Sequence, residues 1–67
     1  MISYAPLFET LKKNGTSLDK IYRRAVIGGG TRQNIKKGKA LLTTTIDILC
    51  EYLNCTVSEV IEYIPEE

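Results

Sequence analysis

The 67-residue chain contains no histidine, and its only two cysteines, Cys50 and Cys55, stand five residues apart. Without histidine or a Cys-x-x-Cys pair, the sequence cannot build the usual zinc sites or a dithiol redox motif. It also lacks the base of a Ser-His-Asp set, and no pair of carboxylates stands in an apolar setting. We therefore expect neither enzyme activity nor a metal or other cofactor.

Long apolar runs are also missing, and none approaches the roughly 20 residues that span a bilayer. The N-terminus lacks the basic start, apolar core and cleavage site of a signal peptide. The two cysteines are expected to be free, buried thiols on different faces of a helix and its following turn, as in a reducing compartment. We expect one small cytoplasmic domain over residues 1–67, with no membrane or small-molecule partner.

Cations are absent from the second part of the chain. All nine lysines and arginines lie in residues 1–40, which carry two anions and a net charge of +7. Residues 41–67 carry six anions and a net charge of −6. A chain of this polarity presents one face to a polyanion and keeps the other face away from it. The alternative is chance segregation of solvated surface charge.

Apolar residues at i, i+3, i+4 and i+7 predict two helices in the first part of the chain, and no segment has a convincing strand pattern. The first helix ends at the left-handed stop Asn14-Gly15. The second begins at Thr16 or Ser17, with Asp19 placed for a capping box. Large side chains on the apolar faces of the chain are expected to fill the core: Tyr4, Phe8, Tyr22, Leu49 and Ile61.

Two further helices are predicted near the other end. The first covers "TTTIDILCEYLN", with Thr43 or Thr44 as its cap. The second covers "TVSEVIEYIP", which begins at a capping box of Thr56 and Glu59 and ends at Pro65.

Three consecutive glycines, Gly28 to Gly30, precede "TRQNIKKG", a short polar helix that Gly38 ends. A phosphate-binding loop needs a strand before its glycines and a spacing of GxxxxGK[ST] or GxGxxG. Here the glycines follow a helix, so the order is helix, tight turn, polar basic helix. That order is typical of a helix-turn-helix motif, at about residues 17–38, whose second helix enters the major groove of DNA. The predicted fold is all-α, with five short helices.

This arrangement resembles the phage-repressor and Cro type of helix-turn-helix protein, also called XRE-like. The resemblance rests on the motif at 17–38, on "NIKKGK" and on the Thr-rich entry into "IDILCEYLNCTVSEVIEY". The chain is especially similar to the very small regulators of this type in Gram-positive bacteria and their mobile elements. The resemblance implies a compact five-helix, lambda-repressor-like domain that binds double-stranded DNA as a transcriptional regulator, as a repressor or autoregulator, without enzyme activity.

Three features depart from that family's pattern. Val26 stands where the turn commonly has glycine, Gly28 to Gly30 replace small polar residues, and Arg32 falls where an apolar residue usually packs. Glycine offers no side chain to base edges and weakens a helix by up to about 1 kcal/mol relative to alanine. The glycines in place of side chains that read bases favour an alternative function, in which a helix-turn-helix scaffold binds an acidic protein as an adaptor or inhibitor.

The polar helix supplies the predicted DNA contacts. Gln33 and Asn34 are expected on the side opposite Ile35, where their amides suit bidentate contacts to adenine. The lysines after Ile35 are suited to contact phosphate groups, and so are the glycine amides at the start of the helix. The predicted DNA-binding residues are Ser17, Gly29, Gly30, Thr31, Arg32, Gln33, Asn34, Lys36, Lys37 and Lys39.

A homodimer is expected, because proteins of this type normally read two half-sites about 34 Å apart. Apolar side chains near the end of the chain exceed what one face of a short helix buries in its own domain. The predicted interface comprises Tyr52, Ile61, Tyr63 and Ile64. Alternatively, Tyr63 and Ile64 fold back and close the core of the monomer.

Overall fold

The computed structural model describes residues 1–66. Within them the chain forms four α-helices, one turn of 3-10 helix and a two-stranded antiparallel ribbon. In chain order the elements are β1 (Ile2–Ser3), α1 (Ala5–Lys13), α2 (Leu18–Arg23), α3 (Gly29–Lys37), α4 (Thr43–Leu53), the 3-10 turn (Val57–Glu59) and β2 (Glu62–Tyr63).

The first three helices begin and end close to the residues that the sequence indicates. The α1 helix is capped at Asn14, and Gly15 follows in the left-handed region with φ +66°. Ser17 caps α2, and its hydroxyl accepts a hydrogen bond from the Lys20 N–H at 3.3 Å. Gly38 ends α3 with φ +69°. These local signals depend on a few neighbouring residues and therefore predict helix boundaries well.

The turn between α2 and α3 corrects the assignment of Val26 to the glycine position. The left-handed residue is Ala25, with φ +61°, while Val26 packs against the core. The Ala25 N–H bonds to the Tyr22 carbonyl, and the Val26 N–H bonds to the Ile21 carbonyl, so the two bonds close α2. An alanine in this conformation carries a steric cost that glycine avoids.

Ala25→Gly is therefore expected to stabilise the domain by about 1 kcal/mol, because it relieves the left-handed alanine. Thermal unfolding followed by circular dichroism should show a midpoint higher by roughly 4–8 °C. Ala40→Gly is the matched control, since Ala40 is also exposed but does not have a positive φ. The control should lower the midpoint slightly or leave it unchanged. A lower midpoint for Ala25→Gly would contradict the expectation.

The predicted fifth helix is wrong, and the prediction that the chain lacks strands is wrong with it. Thr56 and Glu59 do form the capping box, but the helical hydrogen bonds stop after one turn, with the bonds from the Val60 and Ile61 N–H groups to the Val57 carbonyl. Val60 is fully buried. The chain then becomes extended, and β2 pairs with β1 in the register Ile2–Tyr63 and Ser3–Glu62. Tyr63 and the isoleucines that flank β2, Ile61 and Ile64, favour this extended backbone once a partner strand is present.

The core lies between α1, α2, α3, α4 and the 3-10 turn. Two of the predicted core residues lie largely outside it: Phe8 is 44% exposed and Tyr22 is 41% exposed. Thr10 takes the buried place on α1 because the 3-10 turn packs there, and its hydroxyl donates to the Glu59 carbonyl at 2.6 Å. Tyr4 and Leu49 are buried as expected, and Ile61 is half-buried. The fully or nearly fully buried apolar residues are Tyr4, Leu7, Leu11, Leu18, Ile21, Ile27, Ile35, Leu49, Leu53 and Val60.

The two cysteines are free, as expected, but each is only half-buried. Asn54 ends α4 in the left-handed conformation and turns the chain back, so the Cys55 N–H bonds to the Cys50 carbonyl at 3.0 Å. Both cysteine side chains pack against the core, so the sequence-based placement of the two residues on different faces is wrong. Burial, with smaller effects from Cys50 and Glu59, raises the pKa of the Cys55 thiol.

Candidate nucleic-acid interface

The second helix of the motif, α3, touches the core along a narrow line. Ile35 is its buried residue, with 2% of its surface exposed. On the opposite side Gly30, Gln33 and Lys37 are exposed, and they follow one another at helical spacing of three and four residues. This outward face presents one amide side chain and one cation, on a helix that keeps most of its surface free.

Arg32 does not lie on that outward face. Its guanidinium turns toward α2, where Nε and Nη2 each lie 2.7 Å from Oδ1 of Asp19. The side chains of Arg32 and Asp19 are 25% and 49% exposed, so water reaches this ion pair from the Asp19 side. The guanidinium donates a strong hydrogen bond to the Asp19 carboxylate and, with weaker help from Lys36, holds the pKa of that carboxyl below its usual value.

An aromatic ring completes the contact between the two helices. The Arg32 guanidinium carbon lies 5.2 Å from the centre of the Tyr22 ring, within the range of a cation–π contact. A methyl group at Gly29 would sit 3.7 Å from the same ring, so Tyr22 also lies beside the first turn of α3. The Arg32 guanidinium therefore pairs with Asp19 and lies against the Tyr22 ring, and both contacts join α3 to α2.

Thr31 and Asn34 lie on the other side of α3 and are half-buried. They line a shallow cavity of about 360 Å³ together with the connection to α4. Asn34 is thus at the edge of the outward face, not directly opposite Ile35 as the sequence suggested. Its carbonyl accepts the Lys39 N–H at 2.8 Å, which helps to end α3. The other residues that line the cavity are Ala40, Leu41, Leu42 and Thr45.

The remaining predicted DNA contacts lie at the two ends of the motif. Lys36, Lys37 and Lys39 are exposed around the end of α3, and Lys36 Nζ lies 3.7 Å from the Asp19 carboxylate. The Tyr4 hydroxyl donates to the Lys39 carbonyl and holds this end against α1. Ser17 is exposed, but its hydroxyl is engaged as the cap of α2.

The start of α3 consists of glycines, and Thr31 is the first residue of the helix with a side chain larger than hydrogen. Gly28 caps the helix, and Gly29 and Gly30 are its first two residues. None of these glycines has a positive φ, and a methyl group at Gly28 or Gly30 would meet open space. Neither backbone conformation nor crowding within the chain therefore requires glycine at these two positions. Their exposed amides are reachable by a partner that comes close to the backbone.

Three of the predicted dimer residues, Ile61, Tyr63 and Ile64, lie on or beside the ribbon, and Tyr52 lies apart from them. Tyr63 and Ile64 are exposed on and beside β2, and Ile61 lies with Ile46 in a cavity near the start of α4. Tyr52 lies at the other end of α4, where its hydroxyl accepts a 3.5 Å hydrogen bond from Arg24. Because the helix rises about 9 Å between Ile46 and Tyr52, Tyr52 lies well away from the cavity that contains Ile46 and Ile61.

Sequence reasoning missed Asp19 and Tyr22 as parts of this interface. The available signal was an arginine at a packing position, which needs a carboxylate when it is partly buried. Residues 1–40 contain only two acidic side chains, Glu9 and Asp19, and Asp19 lies in the preceding helix. Because so few acidic residues are available in this part of the chain, the pairing of Arg32 with Asp19 could have been proposed from the sequence.

A short helix, a tight turn and a polar second helix held by its neighbour define the chain as a helix-turn-helix domain. Residues 7–66 match the Cro/C1-type HTH DNA-binding domain, and the chain belongs to that family. As a member of a family of DNA-binding domains, it is not an enzyme.

The chain is also similar to a solved structure, the crystal structure (form II) of the transcriptional regulator VanUg. The two superpose with a TM-score of 0.87 at 26% sequence identity, over 97% of this chain and 87% of the other. Comparison with curated proteins finds no match. No helix within residues 1–66 is long and apolar enough to cross a membrane.

The Asp19 ion pair predicts a pH dependence of stability. Because the folded protein lowers the pKa of Asp19 below 3.8, the carboxylate contributes stability that is present above that pH and is lost as the pH falls through the folded pKa. Wild type should therefore be more stable than Asp19→Asn near pH 7, and the difference should shrink in acid. Unfolding midpoints measured from pH 7 to pH 2 test this.

Glu9→Gln is the matched control for Asp19→Asn. Glu9 is exposed and takes part in no ion pair within residues 1–66. Its difference from wild type should stay nearly constant with pH. A difference for Asp19→Asn that also stayed constant from pH 7 to pH 2 would show that the ion pair does not stabilise the fold.

Proposed function

We propose that this chain binds specific double-stranded DNA in the cytoplasm and regulates transcription, as a repressor of nearby genes or of its own gene. The observation that carries the proposal is the outward face of α3, where Gln33 stands between Gly30 and Lys37 on a helix anchored by Arg32 and Asp19. The similarity to VanUg, a transcriptional regulator, supports a regulatory role.

The proposed contacts divide by chemistry. Gln33 reads a base edge, with adenine the best match for its amide, and Asn34 and Thr31 contact the groove from the edge of the same helix. The lysines at the end of α3 contact phosphate and position the helix without reading sequence. Exposed amides of Gly29 and Gly30 approach a phosphate at the positive end of the helix dipole. Arg32 serves to hold α3 in place.

Two copies are proposed to bind one operator, because a single motif of this kind spans only one half-site. The part of the predicted dimer surface that remains together is the ribbon, with Tyr63 and Ile64 beside β1. Glu62 and Glu66 border this surface and, being negative, favour its position away from DNA.

Selection from a pool of random duplexes tests the proposal. The purified protein should enrich a short sequence, present twice with two-fold symmetry, and should bind it more tightly than scrambled DNA at the same salt concentration. Enrichment of no sequence, with weak binding that disappears as salt rises, would contradict the proposal. That result would favour a protein-binding adaptor, which the bare glycines at the start of α3 would suit.

A further inference from the structure

A basic pocket lies on the side of α2 that faces away from α3. We use that name for a surface cavity of about 510 Å³ lined by the α1–α2 connection, α2 and the end of α4. Its charged lining residues are Lys20, Arg23 and Arg24. Lys20 and Arg23 lie three residues apart on one side of α2, and Arg24 caps the end of the helix. Tyr52 closes the pocket from α4.

The positive charge of the pocket has no matching carboxylate. No acidic residue lines the cavity. Within residues 1–66, the ion pairs join Arg32 and Lys36 to Asp19, on the α3 side of α2. Arg23 is close enough to Asp19 to lower its pKa, but as the weakest of the contributing cations. Three cations therefore converge on one cavity without an anion from this part of the chain.

The hydrogen-bonding groups of the pocket also favour an anion. The Tyr52 hydroxyl accepts from Arg24 Nη1 at 3.5 Å, which leaves its own O–H free to donate. The guanidinium groups of Arg23 and Arg24 each present a fork of donors that matches two oxygens of a phosphate, and Lys20 adds a point charge. The cavity is within the size range of small-ligand sites.

We propose that the basic pocket binds a phosphate group through Lys20, Arg23, Arg24 and Tyr52. The phosphate belongs either to the backbone of DNA that flanks the sequence read by α3 or to a free phosphorylated molecule. Only the first source rests on the proposed function. In this proposal Tyr52 contributes to ligand binding, whereas Tyr63 lies on the ribbon, away from the pocket.

Titration with pyrophosphate, without DNA, tests the pocket itself. In ¹⁵N–¹H spectra, saturable shifts should be confined to Lys20, Arg23, Arg24, Tyr52 and the Gly15–Thr16 turn. The double variant Arg23→Ala/Arg24→Ala should bind roughly tenfold more weakly or worse, since each guanidinium contributes a charged hydrogen bond. Lys12→Ala/Lys13→Ala is the matched control: it removes two cations from the end of α1, outside the pocket lining, and should bind as wild type does.

A second arm identifies the source of the phosphate. If DNA supplies it, Arg23→Ala/Arg24→Ala should lower the slope of log affinity against log salt by about 1 to 2, whereas the control should not. An unchanged slope with saturable pyrophosphate binding supports a free phosphorylated ligand. Non-saturating shifts spread over all lysines, or equal losses in the two double variants, would overturn the proposal. Because the pyrophosphate arm contains no DNA, it stands even if sequence-specific DNA binding fails.

Discussion

Replacing Gln33 by alanine is expected to weaken binding to the preferred DNA sequence by about 1 to 3 kcal/mol and to change binding to random DNA very little. Gln33 is the exposed amide on the outward face of α3, and its removal deletes a base contact without changing charge. Fluorescence anisotropy with both duplexes at one salt concentration measures the two affinities. Asn34→Ala should show a similar selectivity, although Asn34 lies at the edge of the face.

Lys37→Ala provides the contrast, because Lys37 lies one turn further along the same face. It should weaken both DNAs alike and reduce the salt slope by about one. Equal losses on specific and random DNA for Gln33→Ala would show that the residue does not read a base. Loss of discrimination in Lys37→Ala instead would place sequence readout at the end of the helix.

The proposed readout would depend on parts of the chain outside α3, because Arg32 of α3 contacts α2. Buried Ile35 directs Gln33 outward, and the ion pair of Arg32 with Asp19 and its contact with Tyr22 join α3 to α2 in that orientation. The sequence placed Arg32 among the DNA contacts because an arginine on a polar helix matches guanine or phosphate. Only the position of α2 against α3 shows that a nearby carboxylate already binds it. Partner choice across two helices is a tertiary property that local spacing does not contain.

The boundaries of α1, α2 and α3 were accessible from the sequence because caps and left-handed stops act within one turn of the residues that form them. Ser17, Asn14 and Gly38 are such residues. The same reasoning found the capping box at Thr56 but extended a helix from it. A capping box starts a helix and does not set its length. The end came from burial of Val60 and pairing with β1, about 60 residues away in the sequence.

The misplacement of Phe8 and Tyr22 has a related cause. Helical spacing shows which residues share a face, but the width of the buried stripe depends on what packs against it. The 3-10 turn packs on α1 and buries Thr10, so Phe8 lies at the margin. Tyr22 lies against Arg32 and the start of α3, which keeps part of its ring in solvent.

The ribbon gathers exposed apolar side chains from both ends of the described chain. Tyr63 is 68% exposed and Ile64 is 41% exposed, beside Met1 at 62% and Ile2 at 47%. The Met1 ammonium donates to the Ile64 carbonyl and the Ile64 N–H donates to the Met1 carbonyl, both at 2.8 Å, so these residues extend the pairing of β1 and β2. Tyr63 and Ile64 therefore do not close the core of the monomer. Their exposure leaves this apolar surface available for the proposed dimer contact.

Ile64→Asp is expected to convert a dimer into a folded monomer and to weaken operator binding by about 100-fold or more, because two linked half-site contacts become independent. The backbone pairing with Met1 does not require the Ile64 side chain, so the fold should survive. Sedimentation equilibrium at tens of micromolar measures the mass, and circular dichroism checks the fold. Ile48→Asp is the matched control, since Ile48 is 47% exposed on α4. If Ile48→Asp alone dissociates the dimer, the interface lies on α4. If the wild-type protein is monomeric at all concentrations and binds one chain per site, the dimer is refuted.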